Sequence, residues 1–347
     1  AAFLYHSITG NIKRLSFMEK DLTPLFSVVM PAYNVAATLE RAVKSVQAQT
    51  FTDWEIVIAD DCSTDATSQI ASKLAENDSR IRYFREKANS GACYRPRKNA
   101  ILASKGTFAI GLDADDEIAD GYLQTLADRI QATGADTVLT CQKAISEDGQ
   151  EFPTQSVYTE VFIHRTGPGR DFVKETLSGW RIAFRGAVKK EVYEAAFAEG
   201  DEPDKPFADE VLSRRLLIKS RLTAFAATDY IYHMNPDSIT HVIKPTFFYF
   251  LTANRRLMEI TLQEFGRESE EFSLACRQFF YSVYDALKAL FRMPYGKNRD
   301  EAESMIREAY GSDDYLTARR HASGKLKTLS FAGWGLMKTA YRFHVKE

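Results

Sequence analysis

The chain has 347 residues, a formal net charge of −2, 45% hydrophobic and 27% charged residues. That length builds one large domain or two moderate ones around a sizeable core, and the composition is that of a globular chain. The near-neutral balance excludes an obligate nucleic-acid binder, and four cysteines standing far apart at 62, 93, 141 and 276 exclude a disulfide scaffold or a Cys/His zinc module.

Residues 1–25 read as a leader of mixed character, ended by Pro24 and lacking a signal-sequence pattern. Phe26–Met30 is a short β-rich apolar run, followed by Pro31. The spacing predicts a helix over 36–49, with Leu39, Ala42, Val43 and Val46 on one face. Strands are expected at 54–59, 81–84 and 107–112, with helices at 64–76 and 96–104 between them. Asp65 near the start of the second helix suits the positive end of its dipole. This alternation is βαβ-like, and apolar strands of this kind are buried on both faces of a parallel sheet. A helix is expected over 119–132 and a strand near the sheet edge at 137–141. Polar 149–169, with Pro153 and Pro168, reads as a loop or short hairpin. Helices at 171–177 and 188–197 flank a short strand or turn at 180–185. An acidic loop at 200–206 precedes a helix over 208–219 and a strand over 222–232. From Lys244 the periodicity is helical, at 247–265, 272–291 and 299–309, and 331–343 is aromatic with interspersed Lys and Arg. The chain divides into a leader (1–25), an α/β domain (26–243) and a helical appendage (244–347). No apolar segment is long enough to span a bilayer.

Acidic residues collect where strands end. Asp113, Asp115 and Asp116 follow the apolar run 108–112, and Asp60 and Asp61 follow 54–59. Ligands of open α/β sheets bind beyond the carboxyl ends of the strands, and carboxylates there suit a divalent metal and a diphosphate. Asn34 falls at the same end. A third acidic pair, Asp209 and Glu210, opens the helix at 208–219.

Four blocks carry a family resemblance: FSVVMPAYN at 26–34, VIADDCSTD at 57–65, GTFAIGL leading into DADD at 106–116, and FADEVLSRRL at 207–216 followed by YHMNPDSI at 232–239. In order and spacing they resemble inverting family 2 glycosyltransferases of the GT-A fold, especially bacterial enzymes of capsule, exopolysaccharide or lipopolysaccharide synthesis. The likeness covers about residues 26–243. It implies a mixed, Rossmann-like α/β sheet flanked by helices, a nucleotide-sugar donor with UDP preferred, and Mn²⁺ or Mg²⁺ as cofactor.

The resemblance assigns Pro31, Ala32, Tyr33 and Asn34 to the first donor loop, Asn34 serving equally as a helix cap. Asp60 and Asp61 match the acids that hold the nucleotide, Asp60 as the preferred base reader and Asp61 as a turn holder or partner of Arg97. Arg97 matches the family's donor-side arginine, although Lys98 replaces the usual Asn beside it. Asp113, Ala114 and Asp115 match the DxD motif. Asp115 is the first metal ligand, Asp113 orients ribose or joins the metal shell, and Asp116 supports the site or touches acceptor sugar. His233 is a further metal or phosphate candidate, or a structural histidine, as is His241; Ser238 is a diphosphate candidate. Trp180 and Arg181 line the acceptor side, with Trp180 equally a core residue. The family writes the third acidic pair Glu-Asp, and the reversed order here puts Glu210 in the base slot with Asp209 as its competitor. The acceptor is a saccharide or lipid-linked saccharide.

Lys325, Lys327, Lys338 and Arg342 around Phe331, Trp334, Leu336 and Tyr341 suit a membrane surface, packing onto the catalytic domain, or a homo-oligomer contact. The expected setting is the cytoplasm or the cytoplasmic face of the inner membrane. Two other readings remain: a nucleotidyltransferase, disfavoured by the helix bearing Asp209 and Glu210, and a noncatalytic nucleotide- or saccharide-binding subunit, which the reversed pair keeps open.

Overall fold

The computed structural model describes residues 23–146, 148–152, 160–177, 179, 182, 184–200, 205–235, 243–324, 327 and 335. The 1–22 part of the leader, Trp180, Arg181, Ser238, His241 and, apart from Lys327, the basic and aromatic residues singled out after 324 lie outside them.

Seven consecutive buried residues make strand β1 (Phe26–Ala32). Helix α1 (Leu39–Gln47) buries the four apolar residues predicted to share its face. Then follow β2 (Trp54–Asp60), α2 (Thr67–Asn77), β3 (Ile81–Arg85), α3 (Tyr94–Ala103) and β4 (Phe108–Gly111). β1 pairs in parallel with both β2 and β4, and β2 with β3. Burial on both faces explains why these strands read as continuous apolar runs.

The second half of the sheet is mixed. It comprises β5 (Glu117–Ile118), α4 (Tyr122–Thr133), β6 (Thr137–Ile145), β7 (Glu151–Phe152), α5 (Glu160–Ile163), β8 (Thr166–Gly167), a 3-10 helix (Gly169–Thr176), β9 (Gly186–Lys189), α6 (Lys190–Ala198), α7 (Ala208–Lys219) and β10 (Thr223–His233). The strand order is β3-β2-β1-β4-β9-β6-β10-β5, with β7 on β6 and β8 on β10. β9 lies antiparallel between β4 and β6. Val188, expected at the start of a helix, therefore belongs to a strand, because pairing on two sides outweighs a helical spacing that starts only at Lys190. β6 is interior rather than near the edge, since both β9 and β10 flank it.

β9 fits only because residue 186 is glycine. Gly186 has φ +136°, and a Cβ there would sit 2.0 Å from the Val138 carbonyl oxygen. Gly186→Ala is expected to cost at least about 2 kcal/mol, read as a lower denaturation midpoint in urea.

A 3-10 turn (Pro245–Tyr249) leads into α8 (Phe250–Phe265), α9 (Glu270–Arg292), α10 (Lys297–Gly311) and α11 (Asp313–His321). The last was not expected, since only Tyr315 and Ala318 of its polar sequence are buried; Ser312 caps it by accepting from the Tyr315 amide. Phe279, Phe280, Val283 and Leu287 of α9 share one apolar cluster with Phe225 of β10, Phe172 and Val211. The helical extension thus packs on the sheet half that carries β10. Among the described residues no helix is long and apolar enough to cross a membrane.

Candidate functional site

Strand register brings three strand ends to one level. Ala32 lies opposite Asp60, and Val29 opposite Gly111. Stitching continues past the ends: the Asp61 amide donates to the Ala32 carbonyl at 2.8 Å, and the Leu112 amide to the Val29 carbonyl at 3.0 Å. Beyond them opens a cleft of about 520 Å³ lined by Pro31, Ala32, Tyr33, Asp61, Arg97, Asp113 to Asp116 and Asp209.

The 113–116 segment is a tight turn, closed by the Asp116 amide donating to the Asp113 carbonyl at 3.0 Å. Its carboxylates have separate environments. Asp113 accepts from Arg97 at 2.6 Å and from Arg185 at 3.2 Å. Burial works to raise its pKa, but the two guanidinium groups prevail and hold it below the usual carboxylate range. Asp116 is fully buried and accepts from the Tyr230 hydroxyl at 2.6 Å and the His233 amide at 2.8 Å. Burial, then the neighbouring Asp113 charge, push its carboxyl up to about 7. Asp115 lines the cleft, and among the described residues no cation stands at ion-pair distance from it. Burial and Asp113 raise its pKa. Helix α1 braces the turn from outside, Thr38 donating to the Ala114 carbonyl at 2.9 Å and Arg41 to the Asp115 carbonyl at 2.6 Å.

Asp115 therefore offers hard oxygen atoms that no cation among the described residues pairs with directly. That fits a divalent cation held by one or two protein carboxylates together with phosphate oxygens and water. Among the described residues no group of three or more His, Cys, Asp or Glu forms a ready-made cage, which this shared mode does not require. His233, a candidate ligand from the sequence, is turned elsewhere: its Nε2 lies 2.6 Å from Glu117 Oε2.

The paired acids after β2 divide oppositely to expectation. Asp60, the preferred base reader, is fully buried and absent from the cleft wall. Its carboxylate accepts from the Ser63 amide at 2.8 Å, Ser68 at 2.5 Å and Tyr83 at 3.2 Å. Burial opposes ionisation there, yet these bonds leave the pKa below the ordinary value. Asp60 thus holds the turn, and Asp61 faces the cleft, where burial raises its pKa against the hydrogen bonds from Ser90. Asp61 is bound by Ser90 rather than by Arg97. Asn34 has φ 53° and neither caps α1 nor lines the cleft; its side-chain oxygen accepts from the Thr64 amide at 2.8 Å.

On α7 the two acids also part. Successive helical residues point about 100° apart, so one faces the cleft while the next turns away. Asp209 lines the cleft, 4.0 Å from Arg97. Glu210 instead pairs at 2.5 Å with Arg214, one turn on and 1% exposed. Arg214 in turn donates to the Thr176 hydroxyl at 3.0 Å and carbonyl at 2.6 Å. Of the two acids, Asp209 rather than Glu210 is therefore on the cleft wall. Phe207, just before the helix, has φ 69°, a left-handed conformation unusual for a bulky side chain. Its ring packs edge-on against Phe247 and Phe250.

Sequence reasoning missed Asn89, Cys93, Tyr232 and Asn235, which also line the cleft. Asn89 and Cys93 sit in the loop after β3, another parallel strand end, and that position was the available signal. Tyr232, within β10, and Asn235, just beyond it, fall inside the 232–239 block, from which only His233 and Ser238 were singled out.

Comparison with known proteins gives a match to the model described as glycosyl transferase family 2, over residues 27–197. A GalNAc(5)-diNAcBac-PP-undecaprenol β-1,3-glucosyltransferase of Campylobacter jejuni is 31% identical, over 49% of this chain and 53% of its own. The glycosyltransferase GlyG of Streptococcus pneumoniae is 26% identical, over 63% of this chain and 73% of its own. This chain thus spans about half the length of the first of these relatives. In fold it is similar to the Staphylococcus aureus TarS fragment 1–349 crystallised with UDP-GlcNAc, with a TM-score of 0.68, 20% identity and coverage of 91% of this chain and 89% of that one.

Proposed function

Because residues 27–197 match glycosyl transferase family 2, we propose that the chain is a member of that family and transfers a sugar from a nucleotide-sugar donor to a hydroxyl of a saccharide or lipid-linked saccharide, with inversion. The observation that carries this reading is one cleft walled by Asp61, Asp115 and Asp209. UDP is the preferred donor nucleotide, with Asp61 as the acid nearest the base. A carboxylate there suits the ring N–H of uracil. Tyr33, half exposed at the rim, offers an aromatic face to the same group.

Asp209 acts as general base. It takes the proton of the acceptor hydroxyl, whose oxygen then bonds to the anomeric carbon as the bond from that carbon to the nucleoside diphosphate breaks on the opposite side. Arg97 stands between Asp113 and Asp209, tying the donor turn to the base. Asp115, with phosphate oxygens, would hold Mn²⁺ or Mg²⁺, which when bound neutralises charge on the leaving diphosphate. The Campylobacter relative, a glucosyltransferase named for a PP-undecaprenol-linked saccharide, favours a lipid-linked acceptor. Surface-polysaccharide assembly at a membrane face is the corresponding setting.

Calorimetric titration of UDP and GDP, with and without Mn²⁺, tests the donor site. Wild type is expected to bind UDP preferentially and more tightly with Mn²⁺, and Asp115→Ala to lose the Mn²⁺ increment. Folded wild-type protein that binds neither nucleotide would sink the reading and point to a degenerate or scaffold protein; UDP binding without transfer would point to a noncatalytic binding subunit.

A further inference from the structure

The turn carrying Asp115 is clamped by a residue of another strand that is itself absent from the cleft wall. Tyr230 of β10 is fully buried. Its hydroxyl accepts from the Asp113 amide at 3.1 Å and donates to Asp116 Oδ2 at 2.6 Å. One oxygen atom thus joins the first and last residues of a four-residue turn that carries Asp115 on the cleft wall. The ring is itself fixed: the Arg185 guanidinium stacks 4.2 Å from its centroid and bonds Asp113 and Gln142. The next oxygen of Asp116 is held by the His233 amide of the same strand.

The strand is shaped for this. β10 runs parallel to β6 in register up to Ala226 opposite Thr140, then resumes with Asp229 opposite Cys141. The intervening irregularity re-aims the strand immediately before Tyr230, a use of bulges common beside active sites. β5, the continuation of the acidic turn, is stitched antiparallel to the re-aimed part, Ile118 opposite Tyr230.

We infer that Tyr230 is a positioning residue for the cation site, its hydroxyl fixing the backbone of the 113–116 turn so that Asp115 presents its carboxylate to a divalent cation. This rests on the proposed donor site. Groups that orient a ligating carboxylate without touching the metal typically change metal affinity 10- to 100-fold, so an increase of about tenfold or more in the Mn²⁺ concentration for half-saturation is expected on losing the hydroxyl.

The test is Mn²⁺ binding to the whole chain at saturating UDP, followed by the loss of the free Mn²⁺ paramagnetic resonance signal, for wild type, Tyr230→Phe and Tyr122→Phe. Tyr230→Phe keeps the ring and its guanidinium stack. Tyr122→Phe removes another buried hydroxyl, one that bonds Thr140 at 3.0 Å and makes no hydrogen bond to the acidic turn. Weakened Mn²⁺ binding in Tyr230→Phe alone, with melting temperatures of the two variants alike, supports the inference. Unchanged half-saturation in Tyr230→Phe overturns it, as does an equal shift in Tyr122→Phe, which would mark a general loss of packing. Wild type that takes up no Mn²⁺ with UDP overturns the donor-site reading itself, and this inference with it.

Discussion

Asp209→Asn is expected to reduce kcat by at least about 10²- to 10⁴-fold, the usual contribution of a positioned general base, while UDP affinity stays near wild type. The amide preserves shape and removes only the basic oxygen. Its neighbour should behave differently. Glu210→Gln leaves the cleft wall intact, because Glu210 points to Arg214 and not into the cavity. Transfer should then persist within about tenfold, with the loss appearing as stability. Single-turnover rates with a radiolabelled donor separate the two. If Glu210→Gln abolishes turnover in a folded protein and Asp209→Asn does not, the assignment of the base is wrong.

The largest stability effect should come from Arg214→Ala. Arg214 is essentially buried, and burial pulls its pKa downward against the pull of Glu210. It survives there because Glu210 and the hydroxyl and carbonyl of Thr176 take its donors. Truncation strips all three of that guanidinium and opens a void between α7 and the 3-10 helix at 169–176. Removing one partner of a buried ion pair typically costs about 3–5 kcal/mol, and urea denaturation should show a loss of that size. Arg214→Met combined with Glu210→Gln removes both charges and fills the volume, so it should recover a large part. A single Arg214→Ala variant as stable as wild type would mean that water enters the site freely.

Much of this architecture was legible in the chain. The α1 face follows from helical spacing and the parallel strands 26–32, 54–60 and 81–85 from short apolar runs, signals carried by the local sequence whatever each element packs against; the helix at 208–219 was also expected. β9 was not legible, since its strand state comes from two partners, Phe108–Ile110 and Thr137–Leu139, distant along the chain. The candidate site shows the same limit. That acidic residues gather at strand ends could be read from spacing; which acid of each pair faces outward could not. Asp60 and Asp61 are adjacent in sequence, as are Asp209 and Glu210, and side-chain direction is decided by Ser68 and Tyr83, outside the motif blocks, and by Arg214, whose pairing with Glu210 the block does not reveal.

Phe207 gives the C-terminal helices a part in the chemistry. A bulky residue in the left-handed region costs on the order of 1–3 kcal/mol and persists only when its surroundings over-determine it. Here Phe247 and Phe250, from the 3-10 turn and α8, grip the ring. Two residues later the chain presents Asp209 to the cleft. The helical extension therefore works as a lever arm with its fulcrum at one phenyl ring. Displacing α8 would let residue 207 relax and would move Asp209, the proposed base, without a substitution at any residue of the cleft wall.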